Sequence, residues 1–372
     1  MDRFTKLKDK KTENEANLPE GWKRVSLGEI LSFRNGKSPQ IVDGGMYPIY
    51  GSNGLIGFTN DYFLNGVFLL VGRVGASGET HLVSGKVWAS DNCLIGECKS
   101  DTTPVFIYYL LKYLDLKKFI TQTAQPLITQ SFVNNLQIIL PPLPEQHKIA
   151  EILETIDNAI EKTGRIIEKY KRIKQGLMQD LLTRGIVESD ELGVRSYELR
   201  DEKKHRFKDS PLGRIPEEWE VVELGCVGDI IYGEGLRQEL YEPDGDTLVF
   251  GTGGIIGRAK LFLDRGPALV IPRKGSITSV FYIQEDQKFW VIDTAFYLKP
   301  KNGYCKFIYF TLCNMDLELL NEATGVPSLS RENIKSIQIP LPPLPEQHRI
   351  ASILSQIDEA IEKEQKYKEK LE

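Results

Sequence analysis

The hydrophobic pattern of the chain predicts short strands over most of its length. Runs rich in β-branched and aromatic residues alternate with glycine-rich turns, which is typical of β-strands. These runs lie at 67–71, 248–250, 268–271, 290–292 and 337–339. One longer apolar stretch in each half of the chain, at 105–116 and 307–320, predicts a helix. The globular parts are therefore expected to have a mixed α/β (α+β) fold.

Two other stretches follow the heptad pattern of a coiled coil. Apolar positions step by four and three residues from Ile149, and again from Ile350. Pro144 and Pro345 fit the first turn of a helix. The two seams are expected to pair with each other because linkage gives them a high effective concentration. The predicted seam comprises Ile149, Leu153, Ile156, Ile160, Ile167, Tyr170, Leu177 and Leu181, interrupted at Thr163 and Lys174, and then Ile350, Leu354, Ile357, Ile361 and Leu371.

The sequence at the start of each seam occurs twice. Residues 140–162 and 341–363 are identical at 18 of 23 positions, at a fixed offset of 201. LPEGW at 18–22 corresponds to IPEEW at 215–219, and a weaker likeness continues through the globular parts. The chain is therefore interpreted as two copies of one unit, with a period of about 200 residues. Pseudo-two-fold symmetry would make the two helices antiparallel.

The repeat divides the chain into six segments. They are a polar tail (1–17), a first globular domain (18–143), a first spacer helix (144–185), a charged linker (186–214), a second globular domain (215–344) and a second spacer helix (345–372). The second helix has no counterparts of Leu177 and Leu181, so it is expected to be shortened, either by truncation or naturally. Gly164 and Gly176 in the first helix are either tolerated surface positions or points where a partner helix approaches closely.

Composition indicates a soluble cytoplasmic protein. Apolar residues make up 41% of the chain and charged residues 27%, which is ordinary for globular proteins. No apolar run reaches the length of a transmembrane helix, and the first 17 residues lack the apolar core of a secretory signal. Five cysteines without a CxxC pair argue against a disulfide framework or a zinc site. The net charge is −5, with +2 over 1–143 and −6 over 215–344.

Common catalytic motifs are absent from the sequence, which lacks GxSxG, HExxH and P-loop patterns. His147 and His348 lie in the repeated helix start, where capping or packing is the expected role. Basic and hydroxyl side chains occur instead in glycine-rich loops at 34–39, 72–78, 232–238 and 272–279. Such loops either bind the phosphates and base edges of nucleic acid or are turns with solvated charges. The chain is therefore interpreted as a binding protein.

Three motifs together resemble the specificity (S) subunit of type I DNA restriction–modification systems. They are the repeated LPPLPEQHxIAxIL box, the Pro-Glu-x-Trp openings at 19–22 and 216–219, and FKDSPLGRIPEEW at 207–219. The resemblance implies two target-recognition domains that each read one half of a split double-stranded DNA target, and two antiparallel coiled-coil helices that set the gap. It implies a non-catalytic subunit without a metal. The implied partners are two modification (methyltransferase) subunits and restriction/translocase subunits, which would carry S-adenosylmethionine, ATP and Mg.

Candidate DNA-binding residues are chosen from the basic, amide and hydroxyl side chains of the loops. They are Lys37, Ser38, Asn53, Arg73, Ser77 and Gln125 in the first domain, and Arg237, Thr252, Arg273, Lys274, Ser276 and Ser330 in the second. Arg73 and Arg273 follow equivalent strands of the two copies. Two alternative functions stay open at this stage: a coiled-coil adaptor that binds protein or carbohydrate ligands, and an inactive or decoy S subunit.

Overall fold

The structure is a computed structural model that describes residues 18–99, 101–119, 127–191, 194–275, 277–321 and 325–372. The chain forms two compact units, which divide between Ile160 and Glu161. Each unit contains one globular domain of sheet and helix, and the two domains repeat one order of elements. The predicted mixed α/β fold with an internal repeat is confirmed.

The first unit is built on a six-stranded sheet. The strands of the whole unit are β1 (Lys23–Ser26), β2 (Leu31–Asn35), β3 (Tyr47–Gly51), β4 (Gly54–Thr59), β5 (Leu64–Gly72), β6 (Thr80–Ala89), β7 (Cys93–Cys98) and β8 (Gln137–Leu140). Its short helices are α1 (Leu27–Ile30), α2 (Pro104–Leu114) and α3 (Gln130–Asn135), with a 3₁₀ turn at Leu116–Phe119. The sheet order is β2-β7-β5-β6-β3-β4, and β1 pairs separately with β8.

The second unit begins within the long helix α4 (Leu143–Thr183). Its strands are β9 (Ile186–Glu191), β10 (Val194–Leu199), β11 (Phe207–Ser210), β12 (Gly213–Pro216), β13 (Glu220–Glu223), β14 (Gly228–Tyr232), β15 (Thr247–Gly251), β16 (Gly254–Ala259), β17 (Asp264–Arg265), β18 (Ala268–Pro272), β19 (Phe281–Ile283), β20 (Lys288–Val291), β21 (Ala295–Pro300) and β22 (Gln338–Leu341). Its further helices are α5 (Leu224–Val227), α6 (Cys305–Cys313), α7 (Arg331–Lys335) and α8 (Leu344–Leu371), with 3₁₀ turns at Gln238–Leu240 and Leu317–Leu320.

The two domains differ in how one strand is divided. In the first domain, β6 runs unbroken for 10 residues and pairs with both β5 and β3. The corresponding residues of the second domain form β19 and β20, which are separated by a turn where Asp286 has a φ of 59°. The single sheet of the first domain therefore corresponds to two four-stranded sheets, β14-β21-β18-β19 and β16-β15-β20-β17.

Each predicted domain helix covers the hydrophobic core of its sheet. Phe106 and Ile107 of α2 are buried in the first core, and Phe307 and Ile308 of α6 are buried in the second domain. Both helices end earlier than predicted, and a 3₁₀ turn follows each of them. None of the helices in the described part of the chain combines the length and the apolar character that a membrane crossing requires.

The repeated box starts helices α4 and α8, which are 41 and 28 residues long. Its glutamines, Gln146 and Gln347, are buried. Each side-chain amide donates to the carbonyl of the first proline after the preceding strand, at 2.9 and 2.7 Å. Each amide oxygen accepts the backbone N–H of Thr103 (3.1 Å) or Tyr304 (2.7 Å), the residue immediately before the domain helix. The box therefore locks each spacer helix to its own domain.

Within the second unit, the end of α4 packs antiparallel against α8. The Nζ of Lys174 forms an ion pair with Asp358 at 2.6 Å. Leu181 shares a hydrophobic cluster with Ile350 and Leu354. Increasing residue numbers on α4 thus meet decreasing numbers on α8, which is the expected antiparallel pairing.

The helix seam differs from the predicted one in two ways. Thr163 and Lys174 were expected to interrupt it, but Thr163 is buried and Lys174 bonds to the facing helix. The pattern of apolar positions did not predict a lysine in the seam. The aliphatic part of a lysine side chain can pack in such a seam when a carboxylate pairs with its ammonium group. Met178 and Leu182 are also buried. Of the predicted seam, Ile167, Leu181, Ile350 and Leu354 are buried, whereas Ile149, Leu153, Ile156, Ile160, Tyr170, Leu177, Ile357, Ile361 and Leu371 are half-buried.

The segment 186–214, predicted as a weakly patterned linker, contains two β-hairpins, β9–β10 and β11–β12. Arg200, directly after β10, is buried. Its guanidinium donates to the carboxylate of Glu346 in the first turn of α8. Trp219 Nε1 donates to the same carboxylate at 3.1 Å. One of the charged residues that suggested a solvated linker, Arg200, is therefore buried and fixes the segment to α8.

Candidate nucleic-acid interface

Arg73 and Arg273 lie in equivalent loops that follow β5 and β18. The backbone N–H of Arg73 donates to the carbonyl of Asn92 at 2.8 Å, and that of Arg273 donates to Thr294 at 3.0 Å. Each arginine carbonyl accepts the backbone N–H of a buried apolar residue, at 3.1 and 2.8 Å. Equivalent backbone hydrogen bonds hold both loops, so the two arginines have equivalent backbone positions in the repeated fold.

The turns of two equivalent hairpins lie beside these arginine loops. Asn53 is exposed in the β3–β4 turn, and Thr252 is half-buried in the β15–β16 turn. Gly75 and Gly275, two residues after the arginines, have φ values of 80° and 89°. A Cβ on Gly75 would stand 3.5 Å from Ser52 Oγ, and one on Gly275 would stand 3.8 Å from Thr252 Oγ1. In each domain, the structure therefore brings two predicted loops together.

A third pair of equivalent loops is anchored by tryptophans. Trp88 Nε1 donates to the carbonyl of Lys37 at 2.9 Å, and Trp290 Nε1 donates to that of Glu234 at 2.7 Å. The backbone N–H groups of Lys37 and Glu234 donate to the residue after each tryptophan, at 3.0 and 2.8 Å. The loop position that the tryptophan anchors is therefore occupied by a cation, Lys37, in the first domain and by an anion, Glu234, in the second.

Several candidates are exposed side chains near these loops. The Nζ of Lys37 lies 4.8 Å from the ring centroid of Phe63. Ser38 is exposed beside it, and Arg237 is exposed at the start of a 3₁₀ turn. Lys274 is exposed next to Arg273. These positions leave the side chains accessible to a ligand.

Two candidate hydroxyls stabilise the fold instead. Ser77 is buried, and its hydroxyl donates to the carbonyl of Arg73 at 2.9 Å. Ser330 caps α7, since its hydroxyl accepts the backbone N–H of Asn333 at 3.1 Å. Both hydroxyls therefore form bonds within the fold; sequence reasoning selected them because hydroxyl groups serve caps and ligands equally well. The candidates Gln125 and Ser276 lie outside the described residues.

Sequence reasoning also missed Tyr232 and Arg331. The guanidinium carbons of Arg273 and Arg331 lie 5.2 and 5.6 Å from the ring centroid of Tyr232. Arg331 follows the helix cap Ser330, just as Gln130 follows the cap Thr129 in the first domain. An alignment of the two copies at these caps could have drawn attention to the extra arginine.

Burial shifts the pKa values of several cysteine and tyrosine side chains. Burial raises the pKa of the Cys93 thiol to about 11 and that of Cys305 to about 12. Burial also raises the pKa of Tyr109, whose hydroxyl donates to Asp157 at 2.8 Å. Among the residues that the structure describes, no group of three His, Cys, Asp or Glu side chains is placed to hold a metal ion.

The repeated scaffold carries the same loops with different side chains in its two domains. Long helices, locked to the domains by buried glutamines, accompany both copies. These features define a duplicated recognition protein, in which a common skeleton presents two different binding surfaces.

The chain belongs to the family described as the type I restriction modification DNA specificity domain, which matches residues 19–171 and 216–372. It is 27% identical over 414 residues to the type I restriction enzyme MjaVIII specificity subunit of Methanocaldococcus jannaschii, covering 99% of this chain and 93% of the relative. The EcoDI specificity subunit of Escherichia coli is 24% identical over 395 residues, with 91% and 82% covered.

A solved structure has the same fold. The type-I restriction-modification system S subunit from M. genitalium superposes with a TM-score of 0.70 at 18% sequence identity. The match covers 95% of this chain and 94% of that chain.

Proposed function

We propose that this chain is the sequence-specific DNA-recognition subunit of a type I restriction–modification complex. Each globular domain would read one half of a split duplex target, and the paired helices would set the gap between the halves. The chain itself would carry out no chemical step. Membership of the specificity-domain family and the full-length likeness to specificity subunits support this function.

The observation that carries the proposal is the inverted charge at one anchor point. Lys37 and Glu234 occupy the same tryptophan-anchored loop position on one skeleton. A protein that binds one repeated ligand would be expected to present the same charge twice. Two half-sites of different sequence require different side chains on a common scaffold, since base edges are read by side chains in the grooves.

Candidate contacts follow from the loops that lie together. We assign Arg73 and Asn53 with Lys37 and Ser38 to the first half-site. Arg237, Thr252, Arg273 and Lys274 are assigned to the second half-site. Arginine and asparagine can form bidentate contacts with guanine and adenine, and arginine and lysine can also bind the phosphates.

The proposed partners follow from the family. Two modification subunits would supply S-adenosylmethionine and methyl transfer, and restriction subunits would supply ATP- and Mg-dependent cleavage. Docking would use the parts that both copies share, above all the box at 140–147 and 341–348. Identical partners can then fit both halves, although the two DNA-facing surfaces differ.

The test is a genome-wide methylation map of the host with and without this gene. We expect one split motif to be methylated in the presence of the gene and unmethylated in its absence. A map that is unchanged by the deletion would overturn the proposal. Light scattering after mixing with the modification subunit separates this case from a decoy, because a decoy would fail to form the complex.

A further inference from the structure

Three cations meet on the second domain, although residues 215–344 carry a net charge of −6. The loop of Arg273 and Lys274 runs beside the segment that ends at Arg331. The backbone N–H of Leu329 donates to the Arg273 carbonyl at 2.8 Å, and Lys274 pairs with Ser328 in an antiparallel bridge. Backbone bonds therefore hold the two segments, and their cations, together.

Two of these cations share one aromatic ring. The ring of Tyr232 is 45% exposed and lies 5.2 Å from the guanidinium carbon of Arg273 and 5.6 Å from that of Arg331. Arg273 Nη1 donates to the carbonyl of Asp293 at 2.9 Å. The ring orients both guanidinium groups and attracts them through its face.

The fold leaves this charge uncompensated. Within the described residues, neither Arg273 nor Arg331 forms an ion pair with a carboxylate. The Nε–H of Arg331 is buried and has no hydrogen-bond acceptor in that part of the chain. Two guanidinium groups at one exposed ring, without a carboxylate partner, favour the binding of an anion there.

We propose that Arg331, with Arg273 and the ring of Tyr232, binds a backbone phosphate of the DNA in the second half-site. This inference rests on the proposed function and names the chemistry of one contact in it. A base edge is neutral, whereas a phosphodiester carries a negative charge and has oxygens that accept hydrogen bonds from guanidinium groups. Arg331 therefore positions the domain on the duplex, and the reading of bases is left to other side chains.

The first domain lacks this contact. At the position of Arg331 it has Gln130, whose Nε2 donates to the carbonyl of Phe33 at 2.6 Å. This glutamine is used by the fold and carries no charge. The acidic second domain thus has a phosphate site that the more basic first domain does not share.

The experiment uses the full chain assembled with its modification subunits. Binding is measured by fluorescence anisotropy over a range of salt concentrations. One duplex carries the motif identified by the methylation map, and in each of the others one base pair of the second half-site is changed. For R331Q we expect weaker binding on every duplex by one common factor. The slope of log affinity against log salt should become shallower by about one, which corresponds to one lost phosphate contact. R331K, which keeps the charge, should retain the wild-type slope.

The matched control is R265Q. Arg265 also lies over a ring, at 5.3 Å from that of Phe262, and also donates to a carbonyl, that of Asp286. R265Q should keep the wild-type slope, and thermal unfolding of each complex checks that the fold is intact. An unchanged slope for R331Q, an equal change for R265Q, or a loss confined to one altered base pair would overturn the inference. A wild-type complex without any preference for the motif would instead overturn the proposed function, and this inference with it.

Discussion

Arg200 and Glu346 form a buried ion pair across 146 residues of sequence. Arg200 Nη2 donates to Glu346 Oε2 at 3.0 Å, and the backbone N–H of Ile186 donates to Oε1 at 2.9 Å. Both charged side chains are 9% exposed. In the first copy, the corresponding Glu145 is exposed. The same residue of the repeated box is therefore buried in one copy and solvated in the other.

Removing one partner of this pair should strongly destabilise the chain. R200M leaves the Glu346 carboxylate buried without its cation, and we expect the free energy of unfolding to fall by about 3–5 kcal/mol. Urea denaturation of the chain measures this value. E145Q is the matched control in the first copy, and it should change stability by less than about 0.5 kcal/mol. The double variant R200M/E346M should be more stable than R200M, and the ion-pair explanation would fail if it were less stable.

The two long helices were predictable from sequence because their signals are local. The prolines of the box end a strand and start a helix within six residues. The boundary between the strand Gln137–Leu140 and the helix Leu143–Thr183 can therefore be predicted from the adjacent residues. The hairpins of 186–214 were missed for the opposite reason. Their anchor, Arg200, finds its partner only in the folded chain, and a charged segment is indistinguishable from a solvated linker until that partner is known.

Alanine substitution of the two helix glycines should stabilise the chain. A Cβ at Gly164 or Gly176 would have nothing within 4 Å. Each Gly→Ala change should therefore add about 1 kcal/mol through helix propensity. The urea midpoint measures this change. G185A is the contrasting control and should destabilise, because Gly185 has a φ of +64° and its Cβ would overlap Glu346, Arg200 and Trp219.

The same variants decide between the two interpretations of these glycines. A surface role predicts that G176A binds the modification subunit as tightly as the wild type does. If a partner helix approaches there, G176A would stabilise the free chain and yet weaken assembly, which titration calorimetry with the modification subunit would detect.

Exchanging the charges of the tryptophan-anchored loops should alter DNA affinity in opposite directions. Their anchors are backbone atoms, so K37E and E234K should leave both loops in place. K37E should weaken DNA binding and reduce the salt slope by about one, whereas E234K should strengthen binding and increase the slope by a similar amount. Anisotropy titrations over a range of salt concentrations measure both slopes. The double variant keeps the net charge of −5 and should return the slope close to that of the wild type. A slope that K37E or E234K leaves unchanged would show that the loop concerned does not face the DNA.

The candidate site was predictable only in part. Repeat alignment placed Arg73 and Arg273 at equivalent positions, because both follow a strand and lie two residues before a glycine, and their backbone bonds are equivalent. Ser77 and Ser330 were selected by residue type alone, and the sequence does not report the bonds that their hydroxyls form with the backbone. Arg331 was missed because its contact with Tyr232 joins residues that are distant in sequence.

Native alkylation should separate the cysteines by burial. Cys226 is exposed, whereas Cys93 and Cys305 are buried, with thiol pKa values raised to about 11 and about 12. A raised pKa means less thiolate at a given pH; for Cys93 at pH 8 the fraction is about one in a thousand and rises about tenfold per pH unit. With iodoacetamide at pH 8, mass spectrometry should find Cys226 modified and Cys93 and Cys305 intact. All three should react in urea, and native labelling of Cys305 at the rate of Cys226 would contradict its burial.

Lengthening both spacer helices by one heptad should widen the gap in the DNA target. Seven residues add about 10.5 Å of helix, which corresponds to about three base pairs. Seven is the appropriate number because it returns each apolar seam to the same face, whereas four would rotate it. The insertions belong after Tyr170 in α4 and before Ile361 in α8, beyond the ion pair of Lys174 and Asp358. Methylation mapping should then find both half-sites unchanged and the gap longer. An insertion in α4 alone is the control, and it should weaken the complex because the seams no longer match. A double insertion that assembles and methylates the original spacing would show that the helices do not set the gap.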